Sequence, residues 1–408
     1  MCVCARLTQT RYVQRTRAEK GIQMTKQEIS EIKKLLTPKN CSITRICGCY
    51  VDGEKNKKTE LKQAFLALPE EEMFKYFEIL RKNLSGTLGK NLLTLEFPLK
   101  SEEEGGAQEF LLRLRDSKLK DDALLEEYYD RIIANYEYVG NYLILIVHDV
   151  YDVPGRTSDG IDMEDASDEI YEYILTCICP VELSKPGLSY NAVENTFQNR
   201  IRDWVVSLPE TGFLFPAFTD RSTDLHSALY YSKDPEELND GFVSELLGCP
   251  LPLSAGDQKE TFQALIEETL GEDCGIELVK NIHDRLTEMA EEHKEEPEPL
   301  VLDKNEVKTI LADSGVSNEK LEEFDRHYDE TAGEATSLLA SNVMNTRTFE
   351  VKTPDIVIKV SPDRTDLIET RNINGQECLV IRLDGGVMVN GITVRPGADG
   401  EDEEGADA

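Results

Sequence analysis

Between residues 41 and 51 the chain alternates with a period of two. Ile43, Arg45, Cys47, Cys49 and Val51 fall on one side, and Thr44, Ile46, Gly48 and Tyr50 on the other. That pattern predicts a strand, closed by the turn signal Asp52-Gly53. Past Gly53 the chain reads as helical, and by Pro69 the period has lengthened. Three acids follow Pro69, then Met73, Phe77, Leu80 and Leu84 mark one face, and Arg81, Lys82 and Gly86 close the segment. A helix beginning at Pro69 follows from these start and stop signals. Residues 91–99 predict a strand, 107–115 and 122–136 two helices, and 142–150 a strand apolar enough to be buried on both faces. An acidic loop at 158–169 leads into a strand at 170–181, in which Tyr173, Leu175, Cys177 and Cys179 share a face. Residues 192–207, which carry the single tryptophan Trp204, read as a helix, as do 258–270 and 276–293. Strands and helices mix without regular β-α alternation, which predicts an α+β main domain.

The pattern changes at residues 291–298, where acids and Pro297 precede Pro299 and suggest a linker. Two short helices are predicted at 305–313 and 318–328, joined at Gly315. From Thr348 the chain turns β-rich, with turn signals at Asn374-Gly375, Asp384-Gly385-Gly386 and Asn390-Gly391. Asn-Gly favours hairpins because both residues tolerate positive φ. The expected organisation is an α+β main domain at 24–290, a linker at 291–300, a helical link at 301–345 and a small antiparallel β module at 346–396. Residues 397–408 contain only Gly, Ala and acids, too polar to fold, and are expected to be disordered.

Charge alters the picture at both ends of the chain. Residues 1–23 hold Arg6, Arg11, Arg15, Arg17 and Lys20 against the one acid Glu19, in a chain whose formal charge is −34. Met24 then opens a helix start, with Thr25 as cap and Glu28 three residues later. The first 23 residues are therefore expected to be a non-native extension. So large an acidic surplus disfavours nucleic acid, which is bound by cations that neutralise phosphates. The clearest basic group, Lys55, Lys57, Lys58 and Lys62, reads as a solvated face at a turn and helix start after Gly53. No apolar run reaches the 18 residues a membrane-crossing helix needs, and the leader lacks the apolar core of a secretory signal. Ten cysteines without such a signal fit reduced thiols in the cytoplasm. The expectation is a soluble cytoplasmic protein with no membrane attachment.

Candidate chemistry is sparse. Cys47, Cys49, Cys177 and Cys179 form two Cys-x-Cys pairs on predicted strands. Alternate strand residues lie ~6.6 Å apart, a poor match to the loops that converge on zinc, so buried thiols are expected and no metal is assigned. The acidic loop carries oxygen ligands after His148 and Asp152, which share a strand face, but lacks the spacing of a calcium loop. Residues 200–235 are densest in reactive and aromatic side chains. There Arg221, Asp224 and His226 beyond Pro216 suggest anion binding or acid-base chemistry, since Asp orients a His that titrates near neutrality. Gly86-Thr87-Leu88-Gly89-Lys90-Asn91 lacks the spacer of a phosphate loop, and Gly187-Leu188-Ser189-Tyr190-Asn191 lacks the second glycine of a nucleophile elbow.

Several longer stretches carry a resemblance. They are Ile46-Cys47-Gly48-Cys49-Tyr50-Val51-Asp52-Gly53, Val147-His148-Asp149-Val150-Tyr151-Asp152-Val153-Pro154, Cys179-Pro180-Val181 followed by Leu183-Ser184-Lys185-Pro186-Gly187-Leu188, Gly212-Phe213-Leu214-Phe215-Pro216, and Thr348-Phe349-Glu350-Val351-Lys352-Thr353-Pro354-Asp355. Through these, Met24 to about Arg395 resembles the bacterial family called domain of unknown function 4317. The resemblance implies a cytosolic protein of anaerobic Gram-positive bacteria, and it carries over no catalytic residue and no cofactor. The leading expectation is a non-catalytic binding or regulatory protein whose partner is a protein or small molecule. The alternative is a hydrolase or phosphate-ester enzyme using His148 and Asp152, or Arg221, Asp224 and His226, with a divalent ion. If Trp204 is core, Trp204→Ala destabilises by ~3–5 kcal/mol.

Overall fold

The computed structural model describes residues 23–156, 162–333, 336–383 and 385–394, with the side chains of 156, 162–166, 168, 377 and 394 excepted. The basic extension up to residue 22, the acidic tail and the middle of the Asp384 turn lie outside the described residues. The chain divides into two compact units: residues up to Glu260 with Glu295–Pro299, and Thr261–Lys294 with everything from Leu300.

In the first unit an antiparallel sheet runs in the order β2-β1-β4-β5-β9-β12-β3. The strands are β1 (Arg45–Val51), β2 (Lys57–Ala64), β3 (Leu92–Glu96), β4 (Asn141–Arg156), β5 (Asp162–Leu183), β9 (Thr211–Phe215) and β12 (Ser227–Ser232). Helices α1 (Lys26–Leu35) and α2 (Glu70–Asn83) cover one face. There Ile29, Ile32, Phe77 and Leu80 pack with Leu145, Val147, Leu175, Cys177 and Leu214. Helices α3 (Ala107–Asp116) and α4 (Asp122–Asn135) cover the other, where Leu111, Leu114, Tyr128 and Ile132 pack with Cys47, Ile144, Ile146, Ile178 and Phe213. The central strands are buried on both faces, which is why residues 142–150 lack alternation. The fold is α+β.

Local signals explain where the elements begin. Thr25 and Glu28 close the expected capping box on α1, and Asp121 accepts from the Ala123 and Leu124 amides at the start of α4. Gly212 has no room for a side chain: a Cβ there would lie 2.2 Å from the Thr176 carbonyl and 2.3 Å from Asn83 Oδ1. Asn83 itself donates to the Thr176 carbonyl at 3.1 Å, and Tyr128 Oη pairs with Thr176 Oγ1 at 2.6 Å, so both helical layers fasten to one point of the sheet.

Three expectations are corrected. The segment after Gly53 is not helical: residues 57–64 form edge strand β2, paired residue by residue with β1. Its lysines guard that edge; Lys57 pairs with Asp130 at 2.7 Å, Lys58 with Asp52 at 2.6 Å and Lys62 with Asp122 at 2.9 Å. Most of the acidic loop is strand as well, because the β4–β5 hairpin continues to Arg156 opposite Asp162. Residues 192–207 are not a helix. They hold β7 (Thr196–Asn199), hairpin-paired with β6 (Leu188–Asn191), and β8 (Trp204–Val206), paired with β5. Val193, Phe197, Ile201 and Trp204 mimic a helical period, but Asn195 at φ 50° makes a turn and the flanking β-formers pair instead.

The second unit packs helices α6 (Ile276–Glu292), α7 (Lys304–Asp313) and α8 (Asn318–Thr331) through Ile282, Leu286, Val307, Leu311, Phe324 and Tyr328. The same unit holds, after these helices, the hairpins β15–β16 (Phe349–Lys352, Val357–Val360), β17–β18 (Ile368–Ile373, Gln376–Ile381) and β19–β20 (Val387–Val389, Ile392–Val394). Asn374, Gly375, Asn390 and Gly391 all take positive φ, as their hairpin turns require.

Candidate functional site

The five residues singled out by sequence belong to separate constellations. His148, on β4, is 6% exposed and lies 3.6 Å from Glu172 Oε2, while Lys118 reaches the other oxygen of Glu172 at 3.3 Å. Burial pulls its pKa below the ordinary value, and Glu172 opposes the shift. Asp152 does sit on the same strand face, but four residues along β4 place it ~13 Å away. It accepts a hydrogen bond from Ser167 Oγ. His148 and Asp152 do not converge.

Arg221 sits with Asp220 in the turn between β10 (Ala217–Thr219) and β11 (Ser222–Asp224), both residues at positive φ, just beyond the cis Phe215-Pro216 peptide. Its guanidinium is spent on α1. Nη2 meets Glu31 Oε1 at 3.0 Å, Tyr151 Oη donates to that same oxygen at 2.7 Å, and the Arg221 amide donates to Glu28 Oε1 at 3.2 Å. This network clasps the first helix onto the turn. Asp224 accepts the His226 amide at 3.1 Å, a bond inside its own loop. The His226 ring is 66% exposed and pairs through Nδ1 with Glu102 at 2.8 Å. Arg221 and His226 therefore serve different neighbours, and no catalytic triad forms among the three.

The two cysteine pairs lie on opposite faces of the sheet, Cys47 and Cys49 against α4 and Cys177 and Cys179 against α2. Four-thiolate coordination is thereby ruled out geometrically. Burial pushes the Cys47 and Cys49 thiols up to about 11, which keeps them protonated and poor ligands. Among the described residues no group of three or more His, Cys, Asp or Glu is placed to hold a metal ion.

Three features escaped sequence reasoning. Asp149, beside His148 but facing the opposite side of β4, is 1% exposed and accepts from the Ser42 amide, the Val150 amide and Tyr173 Oη at 2.9, 2.9 and 3.0 Å. Burial pushes its pKa up to about 6. A groove of about 1360 Å³ is walled by Lys55 and by parts of 134–139, 210–211 and 230–245, with Tyr136, Tyr138, Glu210, Tyr230, Lys233 and Asp240 in its lining. Tyr136 stacks on Tyr138 at 5.8 Å, and burial followed by the nearby Glu210 raises its pKa. Within it Lys233 pairs with Glu210 at 3.3 Å. None of the five candidates lines this groove.

The third feature is an arm at residues 183–208. The β5–β8 pairing, Val181 to Leu183 against Val206 to Trp204, continues through Ser184 N to the Asp203 carbonyl and Arg200 N to the Gly187 carbonyl into the β6–β7 hairpin. Burial along β6 runs opposite to its chemistry. Leu188 and Tyr190 are exposed, whereas Ser189 and Asn191 are half-buried. Phe197 stands directly opposite Tyr190, its ring 5.6 Å away and 71% exposed. Val193, Ile201, Trp204, Val205, Val206 and Leu208 extend the exposed series, Trp204 at 55%. Trp204 is thus not core.

The chain belongs to the family described as domain of unknown function (DUF4317), whose model matches residues 24–392. No curated protein matches it. No helix among the described residues is long and apolar enough to cross a membrane.

Proposed function

We propose that this is a non-catalytic binding protein of the cytoplasm that engages its partner through the arm at residues 183–208. The observation carrying this reading is the apolar side chains that arm leaves to solvent, Leu188, Tyr190, Phe197, Ile201 and Val205 on one face and Leu183, Trp204 and Val206 on the other. An isolated two-stranded hairpin is marginal in water, and contiguous exposed apolar surface beyond a few hundred Å² marks interaction sites. A cytoplasmic setting is supported by the eight described cysteines, all of them free thiols. The alternative, a hydrolase or phosphate-ester enzyme, needs His148 with Asp152, or Arg221 with Asp224 and His226, to gather in one concavity. Their distinct partners speak against it.

The test uses 8-anilinonaphthalene-1-sulfonate, which brightens on exposed apolar surface. Dilute native protein should enhance its emission, and Phe197→Ser with Trp204→Ser should remove most of that enhancement without lowering the melting temperature. No enhancement, or one indifferent to the pair, contradicts the reading. A melting-temperature rise with a divalent ion or phosphate ester that His226→Ala or Asp224→Ala abolishes would instead favour the enzyme.

A further inference from the structure

We infer that Asn390-Gly391, at the tip of the last hairpin, is a site of spontaneous covalent modification, where the asparagine becomes an aspartyl or isoaspartyl residue while the fold protects the same dipeptide at Asn374-Gly375. These are the two Asn-Gly pairs in the chain. Both turns are exposed and both take positive φ at each residue, so turn type does not tell them apart.

The chemistry is intramolecular and needs only water. The Gly amide nitrogen, having given its proton to solvent, attacks the carbonyl carbon of the Asn side chain. A C–N bond forms there, the bond to the side-chain NH2 breaks, and ammonia leaves with a proton taken from solvent. The resulting succinimide ring then takes up water at either carbonyl. One product is an aspartyl residue; the other is isoaspartyl, with the main chain running through the side-chain carbon. Glycine suits the attacking position because no Cβ crowds its nitrogen.

Two observations in the second unit separate the sites. The first is the attacking amide. Gly375 N–H donates to Asn372 Oδ1 at 2.9 Å, which holds the proton that must leave. Gly391 N–H meets no acceptor among the described residues.

The second is how readily each turn opens. Ring closure swings the Gly nitrogen back onto the side chain, a rotation about ψ that a closed type I′ turn does not make, so the reaction waits for the hairpin to fray. The β17–β18 hairpin has 6 residues in each strand and is anchored. Ile368 is fully buried, Lys280 of α6 donates to its carbonyl at 3.5 Å, and the Arg382 amide donates to the Leu367 carbonyl at 2.8 Å. The β19–β20 hairpin has only 3 residues in each strand, with Met388, Val389 and Ile392 all exposed. A ribbon so short and bare is marginal in water.

The consequence falls on that ribbon. An isoaspartyl residue lengthens the main chain within a two-residue turn and breaks its register, and either product adds negative charge to a chain already at −34.

Ageing the full chain in warm, mildly alkaline buffer, followed by tryptic mass mapping, tests this. Cleavage at Arg382 puts the two pairs on separate peptides. The peptide holding Asn390 should gain the mass of an amide-to-acid conversion about tenfold faster than the one holding Asn374, a ratio set by the longer ladder of β17–β18. In urea the two rates should converge. Asn372→Ala should speed the reaction at Asn374 and leave that at Asn390 unchanged. Equal rates in the native protein, or a faster Asn374, overturn the inference. So does a difference that survives in urea, which would lie in the flanking residues and not in the fold. An Asn374 rate indifferent to Asn372→Ala overturns the protection assigned to that hydrogen bond.

Discussion

Replacing Asp149 by asparagine should stabilise the protein at neutral pH, although the wild-type carboxylate accepts three hydrogen bonds. Asp149 lies in the middle of the sheet, where burial pushes its pKa from the ordinary 3.8 up to about 6. The folded state therefore binds this proton more tightly than the unfolded chain does. Stability from that difference is fully present below the unfolded pKa and is lost as pH rises through about 6. A gap of about two units corresponds to ~3 kcal/mol forfeited between mildly acidic and neutral pH. Asparagine escapes this loss. Its oxygen still accepts from the Ser42 and Val150 amides, and its NH2 faces Tyr173 Oη, which then accepts instead of donating. Urea unfolding followed by far-ultraviolet circular dichroism suits the comparison, because the exposed Trp204 reports poorly on the core. Near pH 4 the two proteins should differ by less than ~1 kcal/mol, and above pH 7 the variant should be the more stable by ~2–3 kcal/mol. A gap that does not change with pH would mean that the three donors hold the group ionised, refuting the argument.

Other predictions follow from packing. Trp204→Ala should change monomer stability by no more than ~0.5–1 kcal/mol, because the ring is over half exposed; thermal melting of dilute protein checks it, and a loss near the ~3–5 kcal/mol of a core ring would place it inside. Gly212→Ala should destabilise by ~1–3 kcal/mol or more, since the new methyl meets the Thr176 carbonyl and the Asn83 side chain. A tolerated alanine, seen as an unchanged urea midpoint, would show that the two move apart freely. Maleimide labelling of native protein, read by peptide mass mapping, should modify exposed Cys274 and leave Cys47, Cys49, Cys177, Cys179 and Cys249 untouched. Rapid labelling of any of those five contradicts their placement.

How much of this was legible depended on the range of the interaction that decides each element. Helix starts and a tight hairpin turn were readable because Thr25 with Glu28, Pro69 with its acids, and Asn374-Gly375 act within a few residues. Residues 142–150 were readable because burial on both faces leaves a continuous apolar run. The arm was missed because its helical spacing is local while its strand pairing is not: Tyr190 and Phe197 become neighbours only once Asn195 turns. That the candidate residues do not gather has a related reason. His148 with Asp152, and Arg221 with His226, are close in sequence, but partners fixed by the fold, Glu172, Glu31 and Glu102, decide what each does. The groove was beyond sequence reading because Tyr138, Glu210 and Asp240 meet only through folding.

The accessibility of the lone Trp204 as the protein is diluted tests the docking surface most directly. In dilute solution its emission should be red-shifted and acrylamide should quench it almost as freely as free indole. A blue-shifted, protected tryptophan at every dilution would contradict the exposed arm and, with it, the binding function argued from that arm.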